Sequence, residues 1–172
     1  MKKSLYSILA LMAMLLAFTS CEKDEIENTA IVSMAGEWDV VVDAVDENGN
    51  VLYEDPYGYG PVQIATYNLA SNGTNQMWLD DQGTFWTYKL IVDIDLDNLT
   101  FSCPEKDYDA AGTGTAIITD GKITPGGAVK ANGMPNDAIS FYVVFSDDDY
   151  AGVAYDRLWV HGMRHTGFTA DD

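Results

Sequence analysis

His161 and His165 are the only imidazoles in this 172-residue chain, so any histidine-based chemistry must pass through His161-Gly162-Met163-Arg164-His165. On a helix the i, i+4 spacing would bring both rings to one face. On a strand four residues cover roughly 13 Å, too far for one ion. The helical zinc motif also needs a Glu directly after the first His, and Gly162 stands there. Zinc is therefore set aside. A serine nucleophile needs a base within reach and a third group to orient that base. The chain has no Gly-x-Ser-x-Gly, and Ser140 and Ser146 fall on the same outward side of their segment as Tyr142. A triad built from distant positions is the remaining hydrolytic route, and no motif favours it. No catalytic residue, metal ligand or cofactor is assigned.

The carboxylates are the next candidates. Asp93-Ile94-Asp95-Leu96-Asp97 begins like a calcium loop, which wants Gly at its sixth position and Glu at its twelfth; here those are Asn98 and Pro104. The alternation reads instead as one wet face of a strand. Asp147-Asp148-Asp149 clusters oxygen ligands in a turn, and a solvated turn is the simpler account. Acidic residues number 27 against 9 basic ones, a formal charge of −18. That balance argues against nucleic-acid phosphates and anionic membrane surfaces as partners. Hydrophobic residues at 47% and aromatics at 12% supply a core, which excludes a disordered chain.

The elements that must position these residues are strands. Trp38, Val40, Val42 and Ala44 alternate with residues that include Asp39 and Asp43, the mark of a half-buried strand. Asn48-Gly49-Asn50 follows as a hairpin turn into Val51-Leu52-Tyr53. Trp86, Tyr88, Leu90, Val92, Ile94 and Leu96 predict one long strand with a dry face. Ala116–Thr119, turning at Asp120-Gly121-Lys122 into Ile123-Thr124, predicts a short hairpin, and 125–136 a Gly- and Pro-rich loop. Ile139, Phe141, Val143 and Phe145 face one way in the next strand, and Tyr155–Met163 is the last. No long segment shows a 3.6-residue period. Many short strands with regular turn signals predict an all-β fold, a single antiparallel barrel or sandwich. Cys103, at a strand end, reads as inert packing.

The first 21 residues combine Met1-Lys2-Lys3, an apolar run from Leu5 to Phe18, and small residues before Cys21. This is the pattern of a secretory signal, too short to span a bilayer. Thr19-Ser20-Cys21 resembles the lipobox of bacterial lipoproteins, with Phe18 where Leu is more usual. The resemblance implies cleavage before Cys21 and its acylation, hence a durable membrane anchor. Loss of Lys2 and Lys3 would leave 7 basic and 27 acidic residues, a charge of −20. Glu22-Lys23-Asp24-Glu25 resembles the acidic export tag of surface-exposed lipoproteins of Bacteroidetes and reads equally as a solvated linker. The expected organisation is a signal peptide at 1–20, an acylated Cys21 with a flexible acidic tether to 34, and a barrel domain at 35–172. An outer-membrane location, with cell-surface exposure as one form of it, follows from these resemblances.

Gly36-Glu37-Trp38 in the first strand with Arg164 in the last resembles the lipocalin-like arrangement, in which the guanidinium packs over the indole and closes one end of an up-and-down barrel. Asn136 to Asp148, followed by Gly162-Met163-Arg164-His165-Thr166-Gly167-Phe168 and Asp171, resembles the Bacteroidetes family described as lipid-binding putative hydrolases. That resemblance implies a small lipocalin-like lipoprotein with a lipid, a fatty acid or another small hydrophobic ligand as partner; hydrolase carries over as a label without catalytic residues. A barrel of about eight strands either fills with side chains or holds one small ligand. By parity Trp38, Trp86, Tyr88, Phe141, Val143 and Phe145 point inward, with Trp78 beside them, as the candidate ligand-lining set. An esterase-like hydrolase and a ligand-free interaction module remain the alternatives.

Overall fold

A computed structural model describes residues 28–109, 111–148 and 154–167. The signal peptide, Cys21, Asp149, Phe168 and Asp171 lie outside the described residues. Nine strands run in chain order: β1 (Gly36–Val45), β2 (Val51–Tyr53), β3 (Val62–Asn68), β4 (Gln76–Asp80), β5 (Lys89–Asp95), β6 (Thr100–Asp107), β7 (Thr115–Val129), β8 (Pro135–Phe145) and β9 (Arg157–Arg164). β1 pairs antiparallel with β3, every strand from β3 to β9 pairs antiparallel with the next, and β9 returns to β1 from Trp38↔Arg164 to Val45↔Arg157. The result is a closed eight-stranded up-and-down barrel with no helix among the described residues. Closure pairs the edges that an open sheet would expose. The short β2 only extends the far end of β1, at Ala44↔Tyr53.

The period-two pattern sets the inner faces. Trp38, Val40, Val42 and Ala44 on β1, Leu90 and Val92 on β5, Ile139, Phe141, Val143 and Phe145 on β8, and Leu158 and Val160 on β9 are all buried in one cluster. Trp38, Phe141 and Val143 are fully enclosed. The interior is thus packed with side chains, the filled form of a barrel of this size. Cys103 is buried and unpaired on β6, and burial raises its thiol pKa, so it stays protonated and inert.

Four expectations are corrected. Trp78 does not face the interior: Met77 and Leu79 hold the inner positions of β4, and alternation turns Trp78 outward beneath the Lys89 ammonium, 4.9 Å from its ring centroid. The long strand expected from Trp86 begins only at Lys89, because residues 81–88 are gathered into a loop. Asp120-Gly121-Lys122 is no hairpin turn. It is a bulge inside the continuous β7, where the register slips between Thr119 and Lys122 and Asp120 takes φ 54°. Gly121 lies so close against Phe101 that a Cβ would overlap the ring. β7 then continues through the expected loop to Val129. Finally, the fold starts before the expected end of the tether: residues 30–34 form turns, and Ile31 and Met34 are completely buried against the barrel. Their apolar side chains have a core to enter, which a solvated linker would not offer.

That N-terminal turn and the Trp38 region shut one end. Arg164 Cζ lies 4.4 Å from the Trp38 ring centroid, Nη1 donates to the Ala35 carbonyl at 2.6 Å, and Nε pairs with Asp137 at 3.1 Å. Beneath the guanidinium, Trp38 Nε1 donates to Thr66 Oγ1 at 2.9 Å, and that hydroxyl donates to the Met34 carbonyl at 2.6 Å. Gly36 is part of this design, since a Cβ there would overlap Arg164 Nη1.

Candidate functional site

The opposite end of the barrel carries the connections β1–β3, β4–β5, β6–β7 and β8–β9, and aromatic residues from each converge there. Trp86 of the β4–β5 loop stacks on Phe145 at the end of β8, with centroids 4.5 Å apart and planes 4° from parallel. Tyr57 meets Trp86 edge-on at 5.5 Å, and Tyr59 meets Phe85 edge-on at 5.6 Å. Tyr108 and Tyr88 both pack against Phe145 at 5.7 Å. Each such contact contributes about 0.5–1.5 kcal/mol beyond area burial. Trp86 and Tyr57 are half-buried, and Tyr59 is 52% exposed. The cluster is a stopper with a wet outer surface.

Carboxylates hold this stopper in shape. Asp147 accepts from the Tyr108 hydroxyl at 2.6 Å and from Trp86 Nε1 at 3.2 Å. Asp148 accepts from the Tyr57 hydroxyl at 2.8 Å and from that of Tyr155, and the two phenols also meet. Burial first, then hydrogen bonding to Tyr155 and Asp148, pushes the Tyr57 pKa far above its ordinary value. Burial followed by hydrogen bonding to Asp147 raises the pKa of Tyr108. Both phenols remain donors. Asp81, 1% exposed, is the hub of the β4–β5 loop: its carboxylate accepts from the backbone N–H of Gly83 (2.8 Å), Phe85 (3.3 Å), Trp86 (2.6 Å) and Thr87 (2.6 Å). It holds Thr87 at φ 66°, an outlier for a β-branched residue.

Below the stopper sits Tyr88, 1% exposed, with a buried hydroxyl that has no hydrogen-bond partner among the described residues. Leaving such a group unpaired costs about 1–3 kcal/mol. Burial, then the charges of Asp81 and Asp80, raise its pKa well above the ordinary phenol value. Of the residues expected to line a ligand, Trp86, Tyr88 and Phe145 come together at this end, Trp38 sits at the closed end, and Phe141 and Val143 lie in the packed middle. Parity reasoning missed Tyr57, Tyr59, Phe85, Tyr108 and Tyr155. They sit on loops, where no periodicity marks an inward side; the only trace in the sequence is aromatic residues beside turn glycines and aspartates.

The histidines lie elsewhere, on the outer face. His161 Nε2 meets Asp43 Oδ2 at 2.9 Å with Trp159 stacked on the imidazole at 3.7 Å, and His165 Nδ1 meets Asp39 Oδ2 at 2.8 Å. Ser140 stands opposite His161 in the β8–β9 register, but no hydrogen bond joins the two among the described residues. Antiparallel ladders flank His161 on both sides, opposite Val41 on β1 and Ser140 on β8. Beside His161 runs a groove of about 700 Å³ lined by Val41, Pro61, Gln63 and Met163 among others. Among the described residues no group of three metal-ligating side chains assembles.

Residues 23–169 match the family described as lipid-binding putative hydrolase. The chain belongs to that family. The match covers most of the sequence, and the lipid-binding description and the barrel fit a lipid-binding protein. Comparison with curated proteins finds no match. Among solved structures the chain is similar to a multidomain protein including DUF1735 from Bacteroides ovatus, at 14% identity and a TM-score of 0.25, over 75% of this chain and 47% of that one. The chain thus spans about half the length of that protein.

Proposed function

We propose that this protein binds a small lipid or other apolar molecule at the loop end of its barrel, with the ligand's chain sliding between the Trp86–Phe145 stack and Tyr88. The observation that carries this reading is the aromatic stopper itself. Ring contacts drawn from three separate loops and from Phe145 of β8 close one end, while the other end is shut by Trp38, Arg164, Ile31 and Met34. An apolar chain that displaces ring–ring contacts replaces them with contacts of similar kind, so admission costs little beyond ordering the ligand. The family description supports the ligand class.

A direct test is titration of the purified full-length protein with dibrominated methyl stearate, whose bromines quench indoles they touch. Quenching is expected from Trp86, so the response should largely vanish in Trp86→Phe. A response kept in Trp86→Phe and lost in Trp78→Phe would move the ligand to the outer face and reject the proposed site. The same proposal includes an anchor: acylation at Cys21 holds the protein on the outer membrane, with the acidic residues after it spacing the barrel from the bilayer. The wild type is expected in the membrane fraction and Cys21→Ala in the soluble one; a Cys21→Ala protein that still sediments with membranes would refute the anchor.

A further inference from the structure

We infer that the ligand taken at the loop end carries an uncharged hydrogen-bond acceptor, an ester or hydroxyl oxygen on an apolar chain, and that Tyr88 is the donor that selects it. This rests on the reading that apolar ligands bind there. Tyr88 is buried at the inner floor of the stopper, in contact with Phe145, and its hydroxyl has no hydrogen-bond partner among the described residues. For packing alone a phenylalanine would serve, since the hydroxyl makes no hydrogen bond among the described residues. Buried polar groups are otherwise almost always paired, so this one marks a place where a ligand atom completes the bond.

The surroundings decide which atom. The phenol keeps its proton, so it has a hydrogen to donate, and a ligand atom that accepts it completes the bond that burial leaves unmade. An anionic head group would enter a region of low dielectric beside Asp81, Asp147 and Asp148, where like charges repel strongly. The nearby Lys89 gives no relief, because its ammonium is turned outward to Asp80 and Trp78. An ammonium head group cannot accept from Tyr88. Its charge would be drawn to carboxylates that already accept hydrogen bonds, Asp81 from four backbone N–H groups, Asp147 from Trp86 and Tyr108, and Asp148 from Tyr57 and Tyr155, and the Tyr88 proton would still lack an acceptor. A neutral oxygen is the chemistry that remains.

The test is competition against the brominated-ester quenching by four twelve-carbon probes on the full-length protein at pH 8: laurate, methyl laurate, dodecanol and dodecane. Methyl laurate and dodecanol are expected to compete at concentrations about tenfold lower than laurate, a ratio in keeping with one hydrogen bond gained and one repulsion avoided. In Tyr88→Phe the advantage of ester and alcohol over dodecane should disappear, while dodecane competes as before. The variant should be at least as resistant to denaturant as the wild type, having lost an unpaired buried hydroxyl. Laurate competing as well as its methyl ester, or an ester preference surviving in Tyr88→Phe, would overturn the inference while leaving binding intact. Should the variant fail to fold, the wild-type comparison of laurate with methyl laurate still decides. If no probe competes and Trp86 is never quenched, the binding reading fails, and the inference falls with it.

Discussion

Trp38 and Arg164 meet with the guanidinium carbon 4.4 Å from the ring centroid, and Arg164 is also tied to Ala35 and Asp137. The indole is fully enclosed and the guanidinium partly so, which puts their stacking between the exposed and desolvated limits, about 0.5–2 kcal/mol. A double-mutant cycle of Trp38→Leu and Arg164→Met should therefore return a coupling of about 1 kcal/mol in denaturant unfolding. Independent, additive losses would show that the two merely lie side by side. Gly36-Glu37-Trp38 and Arg164 were legible beforehand because one residue pair at the two chain ends suffices to define that contact. Trp86 was legible only as an aromatic residue; its stacking on Phe145 depends on a loop that brings it over the end of β8.

Among the elements, the β4–β5 loop is where local chemistry outweighs pattern. Residues 86–96 alternate as cleanly as any in the chain, yet the strand begins at Lys89. Asp81 gathers four amides that strand pairing would otherwise have used, and charge-assisted hydrogen bonds are roughly twice as strong as neutral ones. Asp81→Ala should cost on the order of 3 kcal/mol in denaturant unfolding. It should also release Trp86 from Phe145, seen as a red-shifted indole emission. A loss below about 0.5 kcal/mol, within the range of ordinary surface substitutions, would show that the loop holds itself without the carboxylate. In β7 the local signal misled in the other direction: Asp120-Gly121 has turn-like residues, but pairing on both flanks to β6 and β8 keeps the chain extended and absorbs the irregularity as a bulge.

For the molecule as a whole, acidity and tyrosine content act together. At a formal charge of −18 the barrel already repels itself. Its loop end buries Tyr88 and Tyr108, whose pKa values are raised chiefly by burial. The unfolded chain releases these phenolic protons near pH 10 while the folded chain retains them, so the unfolded state binds fewer protons and stability falls as pH rises above that point. Tyr88, whose pKa lies well above the ordinary value, should contribute a slope of up to about 1.4 kcal/mol per pH unit there, and none below about pH 9, with Tyr108 adding in the same direction. Denaturant midpoints taken from pH 8 to 11 should be flat and then descend, less steeply in Tyr88→Phe. A midpoint that holds through pH 11 would show that these phenols ionise freely in the folded protein.

What the sequence determined by itself was the class of architecture and most of the inner face. Period-two alternation, Asn-Gly turns and the absence of helical periodicity are local properties, and a strand's inside and outside follow from its own residues. Closure was visible only through the Trp38–Arg164 resemblance. The loop end belongs to the tertiary structure. Tyr57, Phe85, Trp86, Tyr108 and Phe145 come from segments up to 88 residues apart, and nothing local tells a loop aromatic whether it will meet its partners. Tyr88 shows the limit most plainly. Parity placed it inside the barrel, but that its hydroxyl would be left unpaired depended on which neighbours the folded barrel delivered, and it delivered rings and already-satisfied carboxylates.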